Sequence, residues 1–567
     1  MDQRSTLQSL WSNGSALTRR RLLQFALAGS ATAAAGTLNW THAFAQDSTP
    51  EANPFGEPQT TGGTAIIATT TIGNPRIFIP TSYYGTDAFF VSKLVYTPLI
   101  NLDRQWMNMG PALAESWHAS EDGLTFTFSL RKDVVFHDGT PLTAQDVEFT
   151  YKLACRKDTS FAVRDVSLLQ GGPEYKAGTS EELPGVQVVD DYTVQFNLTA
   201  TSNVFLLNVS NCGILPKHKF ADDALTSDTL ITDLPFFNWD SEPPIGTGPW
   251  KITEYDPSTN LSFAAHEQYF RGRPVLDGLT MRIGLQGPAI VSGLQAGEFD
   301  SAYISYDDAK SLEGDDSLDL LINHDLANEQ VFIFATEKPY LPVGVRQALM
   351  TGTDVNTIIS TVTYDYGRPA PSVMMYPALL PNPDLPVYAY DPEKAKQMLA
   401  DAGWDGSQTL KFGQFVAQGA PSATMAAIMS MWNDIGVQTE YVALDPAAQA
   451  DISKSDDHPY DVVLTAFAWL AYDPSSAYSS FGSEFRPDYS NYSNPEFDKL
   501  MQEAIRIPNM EDAIATYQQA AVILQTDLPY APGWITPEIW GVRKNLHGGV
   551  LGRGPLNDIQ SEKWWKE

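Results

Sequence analysis

The sequence predicts an α/β protein with two lobes, and three observations carry that prediction. Its 567 residues exceed what one hydrophobic core organises. Strand-like and helix-like periodicities are mixed over roughly 500 residues, with no segregation into separate blocks. Apolar residues make up 43% of the chain and charged ones 18%, a globular and not a disordered composition. No internal repeat of fixed period is present, which excludes a solenoid or propeller.

The N-terminus reads as an export signal over residues 1–45. Thr18-Arg19-Arg20-Arg21-Leu22-Leu23 precedes an apolar, alanine-rich run from Phe25 to Leu38, and Ala43-Phe44-Ala45 supplies a small-x-small cleavage pattern. The run is too short and weak for a permanent membrane span. Thr-Arg-Arg-x-Leu-Leu resembles the twin-arginine signal; an ordinary secretory signal holding three arginines is the alternative. No lipid-acceptor cysteine lies near the cleavage site, so the expectation is a free protein, periplasmic or extracellular. Residues 46–61 are rich in Pro, Thr and Glu and read as a flexible linker.

Gly62-Gly63 opens a β-branched strand, Thr64 to Thr69. Phe89, Phe90, Leu94 and Val95 sit at helical spacing within Asp87 to Val95. Asp122-Gly123 is a turn pair before the alternating Leu124, Phe126, Phe128 and Leu130. Val134-Val135-Phe136 reads as a second strand, turned by Asp138-Gly139. Thr143 caps the next helix and Asp146 sits in its first turn. Val188 to Leu198 alternates, interrupted by Asp190-Asp191. Asp391-Pro392 starts a helix that Gly403 ends. Residues 420–435 form another, stopped by Gly436 before the strand Val437 to Val442. Pro495 to Ile507 and Glu511 to Thr526 read as a helical pair.

Charge and cysteine count narrow the function classes. The net charge is −32. The first 45 residues hold four of the 36 basic groups and one of the 68 acidic ones, so the remainder carries −35. Such a surface repels nucleic acid and anionic lipid. Cys155 and Cys212 are too few for a disulfide scaffold; an oxidising compartment permits one bridge between them, whose geometry sequence does not give. The eight histidines are scattered, with no i, i+4 pair for a metal. No GxSxG, HExxH, GxxxxGK[ST] or GxGxxG occurs. His137, inside the strand-turn block, reads as structural. A glycosidase carboxylate pair would be lost among so many acids, so a secreted hydrolase stays as the rival class.

The order of motifs resembles the extracellular solute-binding protein family 5, whose members serve ABC importers of peptides, nickel chelates and sugars. The densest stretch runs from Leu113 to Glu148: Leu113-Ala114-Glu115-Ser116-Trp117, Asp122-Gly123-Leu124-Thr125-Phe126, Phe136-His137-Asp138-Gly139 and Thr143-Ala144-Gln145-Asp146-Val147. Ile214-Leu215-Pro216-Lys217-His218, Pro244 to Trp250, Leu294 to Asp300, Val345 to Leu349, Tyr390 to Ala395 and Ala402-Gly403-Trp404 follow in family order. The resemblance implies the two-lobed type II periplasmic-binding-protein fold with an inserted domain and a hinge between the lobes. It places domain I at 62–97, 241–320 and 531–567, domain II at 98–240 and domain III at 321–530. The function it implies is the substrate-binding subunit of an ABC importer: a monomer that captures a small organic solute, foremost a peptide, between its lobes. It delivers this to the permease subunits, with no metal, cofactor or catalysis. An oligosaccharide ligand, or a chemoreceptor as docking partner, is the alternative.

The resemblance also implies three ligand-lining segments. They are Thr81-Ser82-Tyr83-Tyr84; Gln414 to Ala420, with Gln418 and Gly419; and the stretch after Trp469, with Tyr472 and Asp473. Dipeptide-binding relatives carry an aspartate three residues after the tryptophan, for the peptide amino group, and an arginine after the glutamine, for its carboxylate. Here the segment from Trp469 is shortened to Trp-Leu-Ala-Tyr-Asp-Pro, and Gly419 replaces the arginine. A free dipeptide would then leave its own charges poorly paired in a desolvated cleft, whereas a longer peptide, a sugar or another organic solute fits as well.

Overall fold

A computed structural model describes residues 53–69, 86–102, 109–157, 168–221, 224–226, 229–237, 243–256, 258–285, 287–375, 379–415, 421–453, 455–467, 474–485, 489–550 and 559–567. The signal and residues 46–52 of the linker expected from sequence lie outside them. In the rest of that linker Asn53 Nδ2 donates to Lys563 O at 2.9 Å and Phe55 O accepts from Trp565 Nε1 at 3.1 Å, which ties this stretch to the C-terminal residues.

β1 (Thr64–Ala68) leads, through the helix Thr86–Val95, to a short antiparallel ribbon of β2 (Ile100–Leu102) and β3 (Met109–Pro111). β4 (Ala114–Ala119), β5 (Thr125–Leu130), β6 (Val186–Asp190) and β7 (Thr193–Asn197) form an antiparallel sheet in the order β4-β5-β7-β6. The alternation in β5 has the predicted consequence: Phe126, Phe128 and Leu130 are buried, while Thr125, Thr127 and Ser129 are half-buried. Phe128 meets Phe196 of β7 edge-to-face, with ring centroids 5.5 Å apart. Asp190-Asp191 marks the turn between β6 and β7. Val134-Val135-Phe136, expected as a strand, makes only an isolated bridge between Val135 and Pro141. The Asp138-Gly139 turn closes it too soon for a ladder, with Phe136 N–H bonded to Thr140 O at 2.8 Å.

Cys155 and Cys212 are both buried in the core of this region and stay separate thiols. Burial pushes each thiol up to about 12, so neither supplies the thiolate that disulfide exchange needs.

The chain then enters an eleven-stranded mixed sheet. β8 (Trp250–Asp256), β9 (Asn260–Ala265), β10 (Gly278–Arg282) and β11 (Ser301–Tyr303) assemble around β1. β12 (Leu318–Phe334), β13 (Arg368–Pro369), β14 (Thr409–Phe415), β15 (Gln438–Leu444), β16 (Val462–Phe467) and β17 (Tyr530–Arg543) complete it. The order is β15-β14-β16-β12-β17-β11-β1-β10-β9-β8, with β13 paired to β17. Only β12 and β17 serve both halves among the described strands. Leu318 to Asn323 pairs with Glu538 to Arg543, and Asn328 to Ile333 pairs with Tyr530 to Thr536. A register shift separates Asn323 from Asn328.

The helices on this sheet obey the predicted end signals. Pro392–Asp401 starts with Asp391 accepting the Lys394 N–H at 2.9 Å, and Gly403 follows at φ +78°. Ala423–Asp434 ends before Gly436 at φ +92°. Pro495–Arg506 and Met510–Asp527 are the expected pair. Arg346 is buried beneath the second of these. Its Nε and Nη2 donate to Asp527 O at 3.0 and 2.6 Å, which satisfies a carbonyl the helix end leaves open.

Candidate functional site

The strand directions single out one place in the large sheet. β11 runs along β17 toward lower numbers: Ser301 is opposite Val542, and Tyr303 is opposite Trp540. β1 is parallel to β11 and ends at Ala68, opposite Ala302. From the other half, β16 runs along β12 from Val462, opposite Phe334, to Phe467, opposite Glu329. β14 is parallel to β16. Glu329 in turn faces Ile535 of β17. The carboxyl ends of β1 and β11 therefore approach the stretch 535–540 from one side, and those of β14 and β16 from the other. In open α/β sheets ligands bind beyond the carboxyl ends of strands, where the strand order switches. Here two such edges meet at the β12–β17 crossover.

Each expected ligand-lining segment follows one of these ends in the chain: the first follows β1, the second β14 and the third β16. Thr81, Ser82, Tyr83, Tyr84, Gln418, Gly419, Trp469, Tyr472 and Asp473 themselves lie outside the described residues.

One group at the crossover was not anticipated. Glu329 is 1% exposed, and neither carboxyl oxygen has a hydrogen-bond partner. Burial raises its pKa well above the ordinary 4.5, which favours the neutral carboxyl. Strand alternation puts it on the face of Val331 and Ile333, which pack with Tyr530 and Tyr460. Arg368, opposite Ile535 on its far side, is exposed. The sequence signal for Glu329 is slight: one acid immediately before the apolar run Val331-Phe332-Ile333-Phe334.

The motifs that carry the family resemblance turn out to be joints. His137 is buried between them; its Nε2 donates to Gly248 O at 3.0 Å, and its Nδ1 accepts the Gly246 N–H at 3.3 Å. Burial pushes its pKa down to about 3, so the ring is neutral. This links the Asp138-Gly139 turn to the Gly246-Thr247-Gly248 segment. That segment needs glycine because it lies on the end of the helix Thr86–Val95. A Cβ on Gly246 would stand 2.1 Å from Val95 O, and one on Gly248 2.5 Å from Leu94 O.

Asp146 does more than favour a helix end. Its carboxylate accepts the Thr143 N–H and hydroxyl at 2.9 and 3.0 Å, and the Lys217 N–H at 2.9 Å. Two motifs far apart in sequence, Thr143–Val147 and Ile214–His218, are thereby pinned together. Asp300 is buried likewise, taking the Ile66 N–H at 2.9 Å and Lys566 Nζ at 2.8 Å. These acids hold segments of the chain together and are hydrogen-bonded within the protein.

Residues 108–488 match the model of the bacterial extracellular solute-binding proteins, family 5 Middle. This chain belongs to that family. It is a solute-binding protein of the kind that serves ABC importers, with the two-lobed type II periplasmic-binding-protein fold. It is 29% identical to the oligopeptide-binding protein AppA of Bacillus subtilis over 90% of this chain and 92% of that one. It is 33% identical to heme-binding protein A of Haemophilus influenzae over 79% of this chain and 83% of that one. The solved structure of AppA from B. subtilis, in complex with a nonapeptide, superposes with a TM-score of 0.72, at 26% identity over 90% of this chain and all of that one. Among the described residues no helix is long and apolar enough to cross a membrane.

Proposed function

We propose that this protein captures a peptide longer than two residues in the crossover cleft and passes it to an ABC permease. The observation that supports the peptide reading is the likeness to an oligopeptide-binding protein along 90% of the chain. The missing amino-group aspartate and carboxylate arginine favour length over a dipeptide's two charged ends, because a longer peptide is held mainly through its backbone and side chains. The ligand is enclosed by the segments around Tyr83, Gln418 and Trp469, in a division of domain I at 62–97, 241–320 and 531–567, domain II at 98–240 and domain III at 321–530. The protein acts as a monomer outside the cytoplasm after twin-arginine export, free of a lipid anchor, and binds without catalysis. Ligand touching both lobes stabilises the closed form, which the permease then distinguishes from the open one.

Mass spectrometry of whatever co-purifies with the exported protein tests the reading directly. Thermal shift with peptides of two to nine residues, oligosaccharides and haemin ranks the classes, since a ligand held only by the folded state raises its melting point. Peptides of four residues or more are expected to give the largest shift; a sugar or haemin giving it instead refutes the reading. Trp469→Ala is expected to weaken binding with the melting point of the empty protein unchanged. Unaltered affinity in that variant removes Trp469 from the site.

A further inference from the structure

A buried carboxyl with no partner has no structural task to explain it. The other deeply buried acids of this chain's joints, Asp146 and Asp300, take two or three hydrogen bonds each. Glu329 takes none, and lies where the carboxyl ends of strands from the two lobes meet. Its row holds Phe467 and Ile535, and the neighbouring row on the same sheet face the half-buried Thr465, none of which brings a charge; Arg368, beyond Ile535 in the same row, is exposed. Burial disfavours the charged form of an isolated carboxyl, and a cation brought beside it restores that form.

We infer that Glu329 is the anionic anchor for an ammonium or guanidinium group of the transported ligand. The inference rests on the peptide reading above and deepens it: the preferred cargo is a cationic peptide, whose positive group supplies the partner that the Glu329 carboxyl lacks. It also answers the shortened segment after Trp469. The aspartate missing there is replaced by a carboxylate that comes from the crossover strand. Binding releases the Glu329 proton to solvent and leaves a charge-assisted pair in the closed cleft.

Calorimetric titration of the exported full-length protein and its Glu329→Gln variant decides the matter. Three probes are used: a pentapeptide with a free amino terminus and a central arginine; its acetylated counterpart with norleucine for arginine; and spermidine. The wild type is expected to bind the cationic peptide at least tenfold more tightly than the neutral one. Glu329→Gln is expected to lower the cationic peptide to the neutral level and leave the neutral peptide unchanged, while Glu329→Asp keeps part of the preference. Should the glutamine variant fail to fold, the wild-type preference and the aspartate variant decide instead. A cationic preference that survives in Glu329→Gln, or is absent from the wild type, overturns the inference while peptide binding stands. Spermidine binding that depends on Glu329, with no peptide bound, upholds Glu329 and overturns the peptide reading. A wild type that binds no cationic probe overturns Glu329 outright.

Discussion

The joint around His137 and the crossover around Glu329 bury polar side chains to similar depth, at 8% and 1% exposure. At the joint, His137 uses both ring nitrogens and Asp146 takes hydrogen bonds from three groups. At the crossover, the carboxyl of Glu329 takes none. The difference separates two reasons for burying a polar group. A satisfied group specifies how segments meet. An unsatisfied one carries a standing cost, which in a folded protein signals a missing partner. The residues that announce the family belong to the first kind, so they report architecture and say little about cargo.

The largest expected effect would break the joint. Gly246→Ala puts a Cβ against the Val95 carbonyl, backbone against backbone, with no flexible side chain to yield. A loss of about 3 kcal/mol or more is expected in urea unfolding, or failure to fold. Retention of the wild-type midpoint would show that the helix end can move away, and that the joint is not rigid.

Protonation tests the same joint more gently. His137 titrates near 6.5 when unfolded and about 3 when folded. Between those values the unfolded chain binds the extra proton, so stability falls as pH drops through this window. The slope is at most about 1.4 kcal/mol per pH unit. Urea midpoints at pH 7 and pH 5 measure it, and His137→Gln should flatten the dependence. An equal slope in that variant would assign the acid sensitivity elsewhere.

Glu329 has the opposite sign. Its folded pKa lies above the unfolded value of 4.5, so keeping the proton adds no cost below 4.5 and progressively more as pH rises. Glu329→Gln in the empty protein should therefore be more stable than wild type by about 1 to 2 kcal/mol at pH 7, with the gain vanishing near pH 4.5. A loss of stability at pH 7 would mean that the carboxyl is ionised and paired, which would erase the contrast with His137. The smallest effect belongs to the surface. Lys396→Ala removes an exposed pair with Glu393 and should shift stability by no more than about 0.5 kcal/mol.

Local signals made much of the fold legible. The β4–β5 hairpin followed from Asp122-Gly123 and strict alternation, and the helix Pro392–Asp401 from Asp391-Pro392 and Gly403. β12 was not legible. Its 17 residues run through two lobes and change environment on the way, so no single period spans Leu318 to Phe334. The three expected lining segments rest on the family resemblance alone, because their sequences carry no periodicity from which a position could be read. Glu329 was hidden for another reason: it is one acid among 68, and only the absence of a partner distinguishes it.

The paired strands β12 and β17 have a mechanical consequence. They run through both halves of the molecule as one two-stranded ribbon, paired on either side of the Asn323–Asn328 irregularity; side-chain contacts such as Asn203 with Ala504 and Tyr366 with Glu313 join the halves as well. Such a ribbon tolerates wider twist than a broad sheet. Rotation of one lobe against the other would twist this ribbon as a torsion spring. Lengthening the chain between Asn323 and Asn328 would reset the resting angle of that spring without touching any surface that meets the cargo.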